Sequence, residues 1–154
     1  MWTRRQRQMC IRDSYGGSPN PGDPKGFEAV VTWHAQVIEL QQVRAGDTIG
    51  YGGSYVAPCQ LSVATIGLGY ADGYLRALGG RGEVLVEGQR CSIVGRVSMD
   101  LITVDVSTVK DIKEGTWVEM MGPAVSLDTV AQKANTIGYE CLTRLGARLE
   151  RVIV

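Results

Sequence analysis

Glycine occurs 20 times in this chain against a single Phe, and it falls between short runs of β-branched and aliphatic residues. Without a Cβ, glycine takes up the positive-φ conformations that tight turns need. A chain punctuated this densely turns back on itself too often for a helical bundle. Seven runs read as strands, at 27–43, 61–68, 83–87, 91–99, 101–106, 116–121 and 147–154. Their short spacing and glycine-containing turns are those of an all-β barrel or sandwich. At 154 residues the chain has the length of one domain, able to bury roughly two thirds of its unfolded surface without disulfide or metal staples.

The first run, FEAVVTWHAQVIELQQV, is stiffened at χ1 by Val30, Val31 and Thr32. Val31, Trp33, Ala35, Val37 and Glu39 point one way along it and Val30, Thr32, His34 and Ile38 oppose or interrupt them, which gives a long strand with a break. Residues 44–47 form a turn, and Glu87-Gly88-Gln89-Arg90 joins two strands as a hairpin. Two short helices interrupt the β pattern near the carboxyl end. Ser126 caps one that runs through Asn135, with Asp128 in its first turn, and Thr136 caps another that runs to Leu145 with Gly146 just beyond it. Each has about ten residues, too few to persist without packing, and Val130, Ala134, Leu142 and Leu145 supply the buried contacts.

Sixteen basic and sixteen acidic side chains cancel, so no overall field draws the chain to nucleic acid or to anionic lipid. Cys10, Cys59, Cys91 and Cys141 are scattered, with no paired spacing and no adjacent histidine, which argues against zinc. They read as reduced thiols of a cytoplasmic protein. No stretch approaches the ~20 apolar residues of a membrane span, and the arginines near the start have no apolar region behind them. Residues 1–14 match neither periodicity and read as a leader foreign to the fold. Residues 15–26, with three prolines and four glycines, read as a linker, so the domain extends over 27–154.

Chemistry concentrates in four strings. Gly50-Tyr51-Gly52-Gly53 sets a phenol on glycine hinges, where a plain turn with an exposed Tyr is the bland alternative. Gly69-Tyr70-Ala71-Asp72-Gly73-Tyr74-Leu75-Arg76 is rarer; it reads as a ligand-facing loop or as a hairpin turn with a surface Arg. On the strand expected at 91–99, alternation puts Arg96, Ser98 and Asp100 on one face and Val97 and Met99 on the other, and such a charged face is as often simply solvated. Thr136-Ile137-Gly138-Tyr139-Glu140 places a Tyr in the first turn of a helix, where free N–H groups favour phosphate or carboxylate, or where a half-buried Tyr merely packs. His34 sits within a strand with no nucleophile motif beside it. Asp105, Asp111, Glu114 and Glu119 read as solvated strand and turn charges.

The order and spacing of all four strings resemble the C-terminal domain of alanine racemase over about 27–154. The resemblance implies a β-domain that follows a pyridoxal-phosphate barrel and pairs, in a homodimer, with the partner subunit's barrel. It implies that Tyr51 is the catalytic tyrosine exchanging the α-proton on the L-alanine face. In the same way Met99 holds the substrate carboxylate through its backbone N–H, and Tyr139 meets the cofactor phosphate. Tyr70, Arg76, Arg96, Asp100 and Ile137 line the entry corridor. The cofactor acts as electron sink, and a base on either face can remove or return the proton. A free phenol ionises near pH ~10, so a phenolate base near pH ~8 needs roughly 3 kcal/mol of stabilisation, which in the family comes from the partner barrel. The lysine that holds the cofactor covalently has no counterpart here, and there is no room for a barrel of ~200 residues. The chain alone is therefore expected to be inactive. The competing class is a non-catalytic β-barrel module for dimerisation or small-anion binding.

Overall fold

The computed structural model describes residues 29–153; the leader at 1–14 and the linker at 15–26 lie outside them. Eight strands form: β1 (Trp33–Val43), β2 (Thr48–Ile49), β3 (Tyr55–Val56), β4 (Leu61–Ile66), β5 (Glu83–Val86), β6 (Gln89–Val94), β7 (Ile102–Asp105) and β8 (Trp117–Met121). Six of them close into an antiparallel barrel in the order β1-β4-β7-β6-β5-β8, with β8 returning to β1. The all-β expectation holds. No strand forms over the described residues 147–153, and the two-residue strands of the β2–β3 ribbon lie outside the expected set.

A six-stranded barrel is narrow enough for side chains to fill it. Trp33, Ala35 and Val37 turn inward from β1 to meet Ala64 and Ile66, Val84 and Val86, Val104, and Val118 and Met120, all buried. The expected alternation breaks at Glu39, which is exposed. A bulge between Val37 and Glu39 re-aims the strand as it passes from β8 to β4, with Val37 exchanging backbone hydrogen bonds with Gly115 and Thr116. One added residue reverses the facing of everything after it.

The β5–β6 hairpin turns at Glu87 (φ 46°) and Gly88 (φ 76°), the two positive-φ positions of a type I′ turn. Strand β6 then stops at Val94, short of the run expected through Met99, because Gly95 takes φ 75°. Arg96, Ser98 and Asp100 therefore share no strand face: Val97 is buried while Met99 is exposed.

Helix α1 (Leu127–Lys133) is capped by Ser126, whose side chain accepts from the Thr129 N–H at 3.2 Å. The turn before it is held by Glu119, whose Oε1 accepts from the N–H groups of Ala124 and Val125, both at 2.9 Å. Glu119 is thus a turn cap on a half-buried side chain rather than a solvated charge. Helix α2 (Gly138–Thr143) is shorter than expected, and its N-cap position is Ile137, whose side chain makes no capping bond. The Thr136 hydroxyl donates to the Glu140 carboxylate and leaves the helix backbone uncapped. Arg144 ends the helix, and residues 144–153 run on without regular structure. Val130 and Ala134 are buried, and Leu142 and Leu145 pack against the core from its margin.

A second apolar cluster lies outside the barrel wall. Val43, Leu61, Val63 and Val94 face outward and are covered by Ile49 and Ala57 of the ribbon region, with Tyr55 at the edge. This cluster seats the ribbon and fixes the turn at its tip.

Candidate functional site

That tip carries Tyr51. Gly50, Gly52 and Gly53 all take positive φ, at 79°, 73° and 59°, and the Gly53 N–H closes the turn on the Gly50 carbonyl at 3.1 Å. A Cβ on Gly50 would stand 3.4 Å from both the Arg96 nitrogen and the Gly95 Cα, so the turn lies against the backbone that leaves β6. The phenol itself is 75% exposed. An aromatic ring presented to this extent on a stiff turn does no packing work within its own fold.

Beside it opens a groove of about 600 Å³, walled by the outer faces of β1, β4 and β7 and by the ribbon. Tyr51, Arg96, Ser98 and Leu101 line its rim. The Arg96 Nη1 lies 3.7 Å from where a Gly52 Cβ would sit, which puts a guanidinium on the same rim as the phenol.

The remaining residues follow through close backbone contacts. Gly79 ends the 3-10 turn that Arg76 opens, and a Cβ there would meet the backbone of Gly95–Val97 at 3.1–3.2 Å. Further on, Tyr70 and Ala71 donate their N–H groups to the carbonyls of Ser98 and Met99, each at 3.0 Å. The turn bearing Met99 is closed by Ser98, whose N–H and hydroxyl both donate to the Leu101 carbonyl, at 3.0 and 2.8 Å. Met99 is 55% exposed, and no described residue accepts a hydrogen bond from its N–H. The turn that carries this donor is held by these bonds on both sides.

Gly73 connects the first 3-10 turn to α2: a Cβ there would lie 2.1 Å from the Arg144 carbonyl oxygen. Tyr139 is half-buried on α2, where its carbonyl accepts from the Thr143 hydroxyl at 2.9 Å. Tyr51 and Arg96 share the groove, whereas Tyr70, Arg76, Met99, Asp100, Ile137 and Tyr139 lie outside its lining. The string from Tyr70 to Arg76 is a pair of 3-10 turns rather than a hairpin. With only six residues, α2 aligns too few peptides to support the anion argument made for its amino end.

Charge in the site is local. Asp100 accepts from the Arg148 Nη1 at 2.8 Å. Glu140 is held below its ordinary range, first by the Thr136 hydroxyl and then by Arg144. Tyr74, 2% exposed, is pushed well above the usual phenol range by burial and then by Cys141, so it stays a neutral phenol in the core. Lys110, Lys113 and Lys133 do not line the groove, and Lys133 is paired with Glu83 at 2.7 Å. No group of three or more metal-ligating side chains occurs among the described residues, and no described helix is long and apolar enough to cross a membrane.

The residues that the sequence reading missed are Asp72 and Arg148. Asp72 is 7% exposed, and its Oδ2 accepts from the Gly69 N–H at 2.9 Å. Arg148 falls in the strand expected at 147–154, and the described residues there have no regular structure. Local pattern carries no signal for the Arg148 pairings, because Asp72 and Asp100 are distant from it in sequence, nor for the burial of Asp72.

The chain has counterparts among known proteins. The family described as alanine racemase, C-terminal domain, matches residues 30–153. An alanine racemase of Methylobacterium sp. (strain 4-46) is 43% identical over 155 residues, covering 97% of the chain and 43% of that protein. A catabolic alanine racemase of Rhizobium johnstonii is 44% identical, covering 89% of the chain and 37% of its own length. The crystal structure of alanine racemase from Bartonella henselae with covalently bound pyridoxal phosphate superposes with a TM-score of 0.88 at 38% identity, covering 92% of the chain and 40% of that protein. The chain thus spans about two fifths of the length of the curated relatives it matches.

Proposed function

The chain belongs to the family of alanine racemase C-terminal domains, and on that premise we propose that it presents Tyr51 to a pyridoxal-phosphate site in the barrel domain of a partner subunit. There the phenol exchanges the α-proton on the L-face as L- and D-alanine interconvert in the cytoplasm. The observation that carries this reading is Tyr51 itself: a ring 75% exposed, held by three positive-φ glycines on a ribbon seated by its own apolar cluster. Such a turn offers a side chain outward at a fixed angle, which positioned acid–base catalysis needs.

When bound, pyridoxal phosphate supplies the electron sink that makes the α-proton removable. This chain's part is to move that proton at the Tyr51 hydroxyl and to orient what carries it. The Met99 N–H, which no described residue engages, takes the substrate carboxylate, and the Tyr139 hydroxyl takes the cofactor phosphate. Tyr70, Arg76, Arg96, Asp100 and Ile137 line the approach. With the chain about two fifths the length of its relatives, the covalent anchor is assigned to the portion outside it, and the isolated chain has no activity.

The test joins this chain to the amino-terminal part of the Methylobacterium relative in place of that protein's own C-terminal region. The chimera forms D-alanine from L-alanine, and Tyr51→Phe lowers kcat by about 10²–10⁴-fold, the usual worth of a positioned proton donor and acceptor. A chimera that folds but makes no D-alanine, or a Phe variant of equal activity, would falsify the assignment.

A further inference from the structure

Three separate segments meet where Met99 is held. The turn at 98–101 lies against the 3-10 turn Tyr70–Asp72, so closely that a Cβ on Gly69 would fall 2.3 Å from the Met99 carbonyl oxygen. On its other side the same 3-10 turn meets the segment after α2, where the Gly146 N–H donates to the Asp72 carbonyl at 2.9 Å. Arg148 projects from that segment across both layers. Its Nε lies 3.3 Å from the Asp72 Oδ1 and its Nη1 2.8 Å from the Asp100 Oδ1. The Asp72 carboxylate is buried, and its second oxygen holds the Gly69 N–H. One planar fork thus ties a buried carboxylate in the first turn to the residue that follows Met99.

From this geometry we infer that Arg148 is a positioning residue for substrate carboxylate binding, setting the orientation of the Met99 N–H through Asp100. The inference rests on the function proposed above. The guanidinium suits the task because its donors lie in one rigid plane and can serve two carboxylates at once, whereas an ammonium is a single point of charge. Arg148 is about half exposed, so its removal opens no cavity in the barrel. What changes is the register between the two turns, and with it the aim of one N–H. A hydrogen bond to a charged acceptor is stronger than one between neutral groups, and misdirecting it acts on binding before it acts on proton transfer.

Two measurements on Arg148→Gln test this. In the 154-residue chain, amide hydrogen exchange followed by NMR should accelerate at least about tenfold at Tyr70 and Ala71, the donors to Ser98 and Met99, while the β4 and β7 amides keep their protection. In the chimera, KM for alanine and the inhibition constant of propionate, which has the carboxylate but no amine, should both rise about tenfold with kcat within about threefold. Arg148→Lys should recover only part of both effects. Unchanged exchange at Tyr70 and Ala71, a fall in kcat with KM and propionate inhibition unmoved, or full recovery by Lys would overturn the inference. If the unaltered chimera makes no D-alanine, the proposed function fails and the role in carboxylate binding falls with it. The exchange experiment in the isolated chain separates that failure from failure of the clamp.

Discussion

Replacing Gly69 with alanine pits two effects of opposite sign against each other, and the structure fixes which one wins. Gly69 has φ −151° and ψ −162°, extended backbone open to any residue. On conformation alone, alanine there would stabilise the chain by about 0.4–1 kcal/mol, by narrowing the unfolded ensemble. The added Cβ, however, lands 2.3 Å from the Met99 carbonyl oxygen, 2.4 Å from its carbon and 2.5 Å from the Asp100 nitrogen. Ordinary carbon–oxygen approach is about 3.3 Å, so the two turns must part by roughly 1 Å. Parting takes the Tyr70–Ser98 and Ala71–Met99 hydrogen bonds, both 3.0 Å, out beyond hydrogen-bonding range. Two lost bonds at about 0.5–1.5 kcal/mol each, together with overpacking of about 1–3 kcal/mol, outweigh the entropic gain. At the middle of these ranges the net result is a loss of about 3 kcal/mol. Urea unfolding followed by circular dichroism should show the midpoint falling by roughly 1–2 M, for a slope of about 2 kcal/mol per M. A variant as stable as the parent, or more stable, would show that the two turns are not held together and would remove the basis for a fixed Met99 N–H.

Glu83 lies below its ordinary value of 4.5, chiefly through its hydrogen bond from Lys133, which ties β5 to α1. A depressed folded value means that this contribution is fully present above the unfolded value and is lost as pH falls through the folded one. Glu83→Gln should therefore cost less than about 1 kcal/mol at pH ~7, as expected of a partly exposed pair, with the gap from the parent closing toward pH ~3 in melting experiments. A gap that widens on acidification contradicts this. Cys141 is buried, and its thiol is pushed up to about 11 by burial and then by Glu140, while Cys59 is exposed. With iodoacetamide at pH ~7.5 Cys59 should be alkylated rapidly, whereas Cys141 holds well under about 1% thiolate and should react only on unfolding. Peptide mass mapping reads the difference, and equal rates at the two sites would count against the packing of α2.

Sequence made the barrel legible wherever facing is set by local alternation. Trp33, Ala35 and Val37 point inward as their spacing demands, and Glu87-Gly88 makes the expected turn. Facing was lost wherever one residue resets it. The bulge after Val37 turned Glu39 outward, and Gly95 ended β6 five residues before Met99. Within a β-branched run a glycine reads equally as strand or stop, and only tertiary contact with Gly50 decides between them. Thr136 looked like a helix cap, yet its hydroxyl found the Glu140 carboxylate instead, a choice made by side-chain packing rather than by propensity. Tyr51 and Arg96 stood out by their glycine and strand contexts and share one groove. Arg148 and its pairing with Asp72 were invisible because they depend on segments 76 positions apart folding onto each other. Two-residue strands such as Thr48–Ile49 carry no periodicity at all, although this pair helps seat the ribbon that bears Tyr51.

The central claim is that Tyr51 acts on a cofactor held by another subunit, and complementation between two inactive chimeras measures this directly. One chimera carries Tyr51→Phe with an intact barrel; the other keeps Tyr51 but has the barrel's cofactor-binding lysine replaced. If the tyrosine crosses the dimer interface, each mixed dimer regains one complete site, and an equal mixture that exchanges subunits freely recovers about a quarter of the unmutated chimera's racemase activity. Activity that stays at the level of the two parents after subunit exchange has been verified would place Tyr51 and the cofactor within one subunit, and would contradict the account.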